Sequence, residues 1–217
     1  MKKSLLLVLF LLSGCTGTSV INSVVLDHSA KPVSELRLLY IENQLAGINQ
    51  KGSIVDQIGY PKLGAKLQER APIVFNLNKI PVEVIAVKPS DLIGAGPNRI
   101  NWVNRPDRVV PLLELQVTKG RTLTNSSGVT NVYLELQATL HSAPNNLPGT
   151  TMQRVWVGKF ETGLGVGGFG SIVFDSQFVD EMLMGVLESM AAAKMVDLPK
   201  GKALIPNSRA MTQTSGL

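Results

Sequence analysis

The sequence predicts an α+β domain: a mixed sheet of four to five strands, β-α-β-β-β-β-α-like in order, backed by two helices on one face. Three observations carry this. Residues 113–118 and 132–140 alternate strictly between apolar and polar, the period of strands with one covered and one wet face, and Asn125-Ser126-Ser127-Gly128 between them has the chemistry of a hairpin loop. Apolar residues recur at helical spacing at 63, 67, 71 and 74, and again at 178, 182, 186, 190 and 193. With 217 residues, 44% hydrophobic and 17% charged, the chain can bury one good core but not two comfortable ones.

Taken in order, Leu36 to Ile41 is the first strand, mostly apolar and therefore buried on both faces. Glu42 to Tyr60 carries Gly47, Gly52 and Gly59 and reads as a long loop. Pro61 suits a first helical turn. The helical face then runs through Ala71 and Val74 to Asn78, with Pro72 inside it. A proline there removes a hydrogen bond and clashes with the carbonyl four residues back. Either the helix kinks, or residues 73–77 form a short strand. The kinked helix is preferred, because Asn78-Lys79-Ile80 then leads into the next strand, Pro81 to Val87. Together these make a β-α-β unit with a right-handed crossover.

Lys88 to Asp107, with three prolines and two glycines, is a second long loop. It holds Trp102, which either caps the core or presents an anchor to a partner. Trp102 is the residue singled out for partner binding. The two alternating strands follow, then a third over Met152 to Glu161, then a final helix capped by Asp175 or Ser176. Methionines at 182, 184, 190 and 195 suggest a soft-metal or promiscuous surface, but core filling by flexible thioethers is the preferred reading. Residues 199–217 are polar, Pro/Gly-bearing and expected to be disordered.

The search for chemistry is mostly one of exclusion. A single cysteine excludes an internal disulfide and a multi-cysteine metal site, and two histidines leave little room for a zinc site; no cofactor is expected. Gly163 to Gly170 contains G-x-G-x-x-G twice. However, it follows a meander strand and no second parallel strand comes after the helix, so a glycine loop near the sheet edge is preferred to a dinucleotide site. His141 is the one histidine outside the amino-terminal region, without any G-x-S-x-G or H-E-x-x-H, and His28 reads as a solvated linker residue. Glu83, Glu114 and Glu135 fall on polar strand faces and read as solvated. No enzyme is expected, and without a Lys/Arg cluster no nucleic-acid partner is expected either.

The amino terminus is more informative. Met1-Lys2-Lys3 is a positive leader, and Leu5 to Leu12 is an apolar run of eight, far short of the roughly 20 residues a spanning helix needs. It ends in Leu12-Ser13-Gly14-Cys15, which resembles the lipobox of bacterial lipoproteins. That resemblance covers the first 15 residues. It implies that residues 1–14 are a signal peptide, removed by cleavage, and that Cys15 is the lipidation site, its thiol carrying diacylglycerol and its amino group a further acyl chain such as palmitate. Thr16 after the cysteine implies sorting to the outer membrane, with the domain facing the periplasm. Loss of Lys2 and Lys3 lowers the formal charge from +5 to +3. Residues 15–33, Ser/Thr/Asn-rich with a short apolar stretch at 24–26, then read as the acylated cysteine and a tether that includes at most a few residues of strand, reaching at most about 60 Å. The single domain would occupy 34–198.

The order of elements is similar to that of the TolB amino-terminal domain and of the lipoproteins that activate penicillin-binding proteins. The resemblance implies a docking module rather than a catalyst. The leading expectation is therefore a lipid-anchored adaptor binding another envelope protein through residues 42–60, 88–107 or an open sheet edge. The alternative is an auxiliary lipoprotein of a lipid or envelope transport system, which would need an apolar groove. A hydrolase using His141 is the third. The oligomeric state is open.

Overall fold

The computed structural model describes residues 18–41, 60–87, 109–124, 126, 130–143, 151–166 and 174–206. Its strands are β1 (Thr18–Val25), β2 (Leu36–Ile41), β3 (Val82–Val87), β4 (Leu112–Thr124), β5 (Thr130–Ser142) and β6 (Gln153–Val166). Its helices are α1 (Tyr60–Leu77) and α2 (Ser176–Ala192), with a 3-10 turn at Pro199–Gly201. The six strands form one sheet in the order β1-β6-β5-β4-β2-β3. β2 runs parallel to both β3 and β4, while the remaining pairs are antiparallel. The class is the α+β one predicted, with one strand more.

Every residue of β2 is buried, because both faces of the sheet are covered there. Leu36, Leu38 and Tyr40 join the main core with Leu67, Val74, Phe75, Leu134, Leu136, Phe160, Met182 and Met190. Leu39 and Ile41 point the other way, into a smaller cluster with Val87, Val109, Leu112, Ala143 and Met152. Both helices pack on the main-core face. Leu63, Leu67, Ala71 and Val74 are fully buried, as their spacing predicts, and Pro72 lies within one continuous helix rather than before a strand. Lys79 closes α1 in the left-handed region (φ 63°), and Ile80 N–H donates back to the Phe75 carbonyl at 3.0 Å. Lys194 does the same after α2 (φ 60°), with Met195 N–H on the Met190 carbonyl at 2.8 Å. At its start α2 is capped by Asp175, which accepts from Phe178 N–H at 2.7 Å.

Some boundaries differ from the sequence reading. Residues 18–25 are not a tether but the sixth strand, paired along its length with β6. Six of its eight residues are exposed, so neither face imposes the alternation by which strands are recognised. Nor does the tail begin at 199. Ala203 is buried, and the fully buried Asn78 holds the backbone of Leu204, accepting from its N–H at 2.7 Å and donating to its carbonyl at 3.2 Å. Tyr60, counted with the first loop, instead opens α1, and the expectations for residues 42–59 and 88–107, Trp102, Cys15 and residues 207–217 fall outside the described residues.

Candidate functional site

β1 is the outermost strand at one side of the sheet, and among the described residues nothing pairs with its outer edge. Val20, Ile21 and Val24 are 50%, 55% and 43% exposed, and Leu26, just past the strand, is exposed too. Between Val20 and Asn22 the register shifts, so Ile21 has no partner on β6. The inner side, by contrast, is firmly held. Thr18 Oγ1 donates to Thr162 Oγ1 at 3.1 Å, and Trp156 Nε1 donates to Ser23 Oγ at 2.9 Å. Trp156 and Phe160 are fully buried and meet over Gly158, where a Cβ would lie 2.6 Å from one ring and 2.7 Å from the other. On α2, a Cβ at Gly185 would lie 2.8 Å from Thr18 Cγ2, so the absence of a side chain at 185 lets the strand begin against the helix. The result is a rigidly seated edge with no charge and no proline, whose exposed residues are half apolar (Val20, Ile21, Val24) and half small and polar (Ser19, Asn22, Ser23). Natural sheets usually blunt such an edge with charge or proline, because it can template pairing with another strand.

The charged groups divide by place. Arg70 of α1 and Asp180 of α2 form a buried two-pronged ion pair, Nε to Oδ1 at 2.8 Å and Nη2 to Oδ2 at 2.5 Å. Those hydrogen bonds raise Arg70 above its ordinary pKa, and the pair joins the two helices. On the helix-free face, Arg37 reaches the half-exposed Glu83 at 2.9 Å, and Lys119 lies 3.5 Å from Glu135. Glu114, expected to be solvated, is buried instead, with its Oε2 3.3 Å from His141 Nε2. Its neighbour across the ladder is Leu39, a member of the smaller apolar cluster that covers this end of the sheet. Glu83 and Glu114 stand on strands that flank β2 and are engaged separately, Glu83 with Arg37 and Glu114 with His141. Leu112, two residues before Glu114 and on the same side of β4, belongs to that cluster and pairs with His141 across the β4–β5 ladder, which no local sequence signal shows.

The glycine run also changes character. Gly163 and Gly165 belong to β6, opposite Tyr133 and Asn131, so the first four residues of the supposed loop are strand inside the sheet. The Tyr133 ring would lie 3.3 Å from a Cβ at Gly163, which explains why a glycine suits that position. A cavity of about 300 Å³ opens where the β1–β2 connection passes the start of β6, lined among others by Asp27, Lys31, Glu35, Ser142 and Gln153. Its lining is mixed, with Ala30, Pro32, Val33, Pro111, Ala143 and Val155 beside those polar groups. The Ser29 hydroxyl and amide both donate to Asp27, at 2.6 and 2.8 Å, and hold its carboxyl below the usual carboxylate range.

Among the described residues no three His, Cys, Asp or Glu side chains are grouped to hold a metal ion, and no helix is long and apolar enough to cross a membrane. The described chain is thus a two-layer α+β domain with an open, uncharged edge. No protein-family model and no curated protein sequence matches it. Among solved structures it is similar to the lipoprotein GNA1162 from Neisseria meningitidis, at 13% identity over 74% of this chain and 99% of that one, with a TM-score of 0.39. It is also similar to PelC dodecamers from Paraburkholderia phytofirmans. One crystal form gives 14% identity over 70% of this chain and 86% of that one, with a TM-score of 0.30. A second gives 13% identity over 79% and 95%, with a TM-score of 0.34.

Proposed function

We propose that this protein is a non-enzymatic lipoprotein, anchored in the outer membrane by lipid on Cys15 and facing the periplasm, that docks another envelope protein. The observation that carries the reading is the outer edge of β1: exposed Val20, Ile21 and Val24 on a strand fixed on its other side by Thr162, Trp156 and Gly185. Strand addition to such an edge draws affinity from main-chain hydrogen bonds and specificity from alternate side chains. The position of β1 so soon after Cys15 puts the docking edge beside the anchor.

The test is crosslinking in intact cells from a photoreactive residue at position 21, then affinity purification with bound protein and lipid identified by mass spectrometry. The expected result is one abundant envelope protein, lost when Ile21 and Val24 are changed to lysine. Both side chains are exposed, so the fold survives the change. Stoichiometric phospholipid without such a protein would favour the transport role instead, and recovery of neither would overturn the docking role.

A further inference from the structure

The sheet is uneven at one end. Cα pairing places Thr18, the first residue of β1, level with Thr162 on β6, Leu134 on β5 and Gly120 on β4. β2 and β3 stop earlier still, at Ile41 and Val87. Among the described residues, three strands continue beyond the level of Thr18: Arg121–Thr124, Thr130–Tyr133 and Gly163–Val166. Four residues of strand carry this three-stranded tongue about 13 Å past the start of β1.

The chain enters the fold from the same side. Because β1 is antiparallel to β6, its first residue, Thr18, lies at the end of β1 toward which Gly163 to Val166 continue. Cys15 is three residues before Thr18, which three Cα-to-Cα steps limit to about 11 Å. That leash is shorter than the tongue. Thr18 itself cannot yield, being bonded to Thr162 and packed against Gly185. A surface entered by acyl chains on Cys15 therefore meets the tongue before any other end of the sheet.

The tongue's composition fits such a surface. Of its twelve residues only Arg121 is charged, and there is no carboxylate for an anionic headgroup layer to repel. Leu123, paired with Asn131 near the tip, is 50% exposed. We infer that this three-stranded end of the sheet rests on the lipid surface and fixes the domain upright on its membrane, an inference that depends on the acylation of Cys15 in the function proposed above. β1 then stands beside the bilayer with its outer edge turned sideways, toward a neighbour in the same envelope layer.

The test uses the mature lipidated protein in vesicles of phosphatidylethanolamine and phosphatidylglycerol. With the Cys15 thiol acylated, a cysteine introduced elsewhere is the only free thiol. Leu123→Cys and Ile205→Cys variants are each labelled with an environment-sensitive fluorophore, and lipids carrying spin-label quenchers are added. Ile205 is the control, 58% exposed and next to Leu204, which Asn78 holds at the opposite end of the sheet. The expected result is that the label at 123 loses most of its emission while the label at 205 keeps its own. Equal quenching at both positions, or a shielded label at 123 that lipid quenchers do not reach (as beneath a second copy), would overturn the inference alone. The mass of the amino-terminal peptide separates the two failures, since an unmodified Cys15 overturns the anchor and the inference together.

Discussion

Replacing Asp180 with alanine removes two acceptors from the guanidinium of Arg70, a residue only 6% exposed, and Asp180 is itself 5% exposed. The remaining cation stays buried between α1 and α2 with its two strongest bonds gone. Breaking one side of a buried pair typically costs about 3–5 kcal/mol, because the surviving charge has lost its compensation. For a domain of this size each kcal/mol moves the melting temperature by roughly 2–4 °C, so the expected fall is roughly 6–20 °C. Removing both charges together is different in kind. An Arg70→Met, Asp180→Leu double variant keeps the volume and needs no compensation, and such replacements are often neutral or stabilising by about 1–4 kcal/mol. The assay is urea and thermal unfolding of the chain beginning at Thr16, following near-UV and far-UV circular dichroism, with both singles and the double. Refutation would come from a single variant costing less than about 1 kcal/mol, the value for a solvent-exposed pair. A double variant as unstable as the two singles added together would refute the reasoning equally.

Gly185→Ala adds helix propensity, worth up to about 1 kcal/mol, but drives a methyl into Thr18. It is expected to destabilise and to raise hydrogen exchange across β1, and adding Thr18→Ser, which deletes the nearer methyl but keeps the Cβ at 3.0 Å, should recover part of the loss. Asn78→Ala should cost about 1–3 kcal/mol and release the segment around Leu204, seen as faster carboxypeptidase digestion with α1 otherwise intact. Lys79→Gly and Lys194→Gly should each raise stability by about 1 kcal/mol in denaturant titrations, since both lysines hold left-handed backbone that glycine adopts freely. The Asp27 carboxyl is depressed in the fold, so what its turn contributes is present above the unfolded carboxylate pKa and is lost as pH falls through the lower, folded one. The Ser29 amide resonance should move over that acidic window in an NMR titration and stay fixed at neutral pH.

How much of this was legible in the sequence depended on whether burial is one-sided. β4 and β5 over most of their length, and α2, show one-sided burial, and their periodicity, with Asp175 as cap, was enough to place them. β1 buries neither face, and what seats it, Thr162, Trp156 and Gly185, lies far away in sequence and carries no local signal. Glu114 misled for the opposite reason. Alternation assigns it to a wet face, but that face is covered where the small cluster around Leu39 and Leu112 sits. The glycines at 163 and 165 look like punctuation and are strand, because their long-range partners on β5 override their weak intrinsic preference. Of the candidate site, only the idea of an open sheet edge was legible. That β1 forms one of the sheet's two edges, with β3 at the other, was a tertiary fact.

The pairing of β1 with β6 also sets an order of events. Thr18 and its partner Thr162 are 144 residues apart, and Ser23 waits on Trp156 across 133. A chain delivered across a membrane amino end first therefore exposes its first strand long before the partner of that strand exists. Until the last third of the polypeptide has emerged, nothing in the sheet competes for the segment around Cys15. Enzymes that modify or cut there would work on an unfolded substrate, and closure of the sheet would come after them.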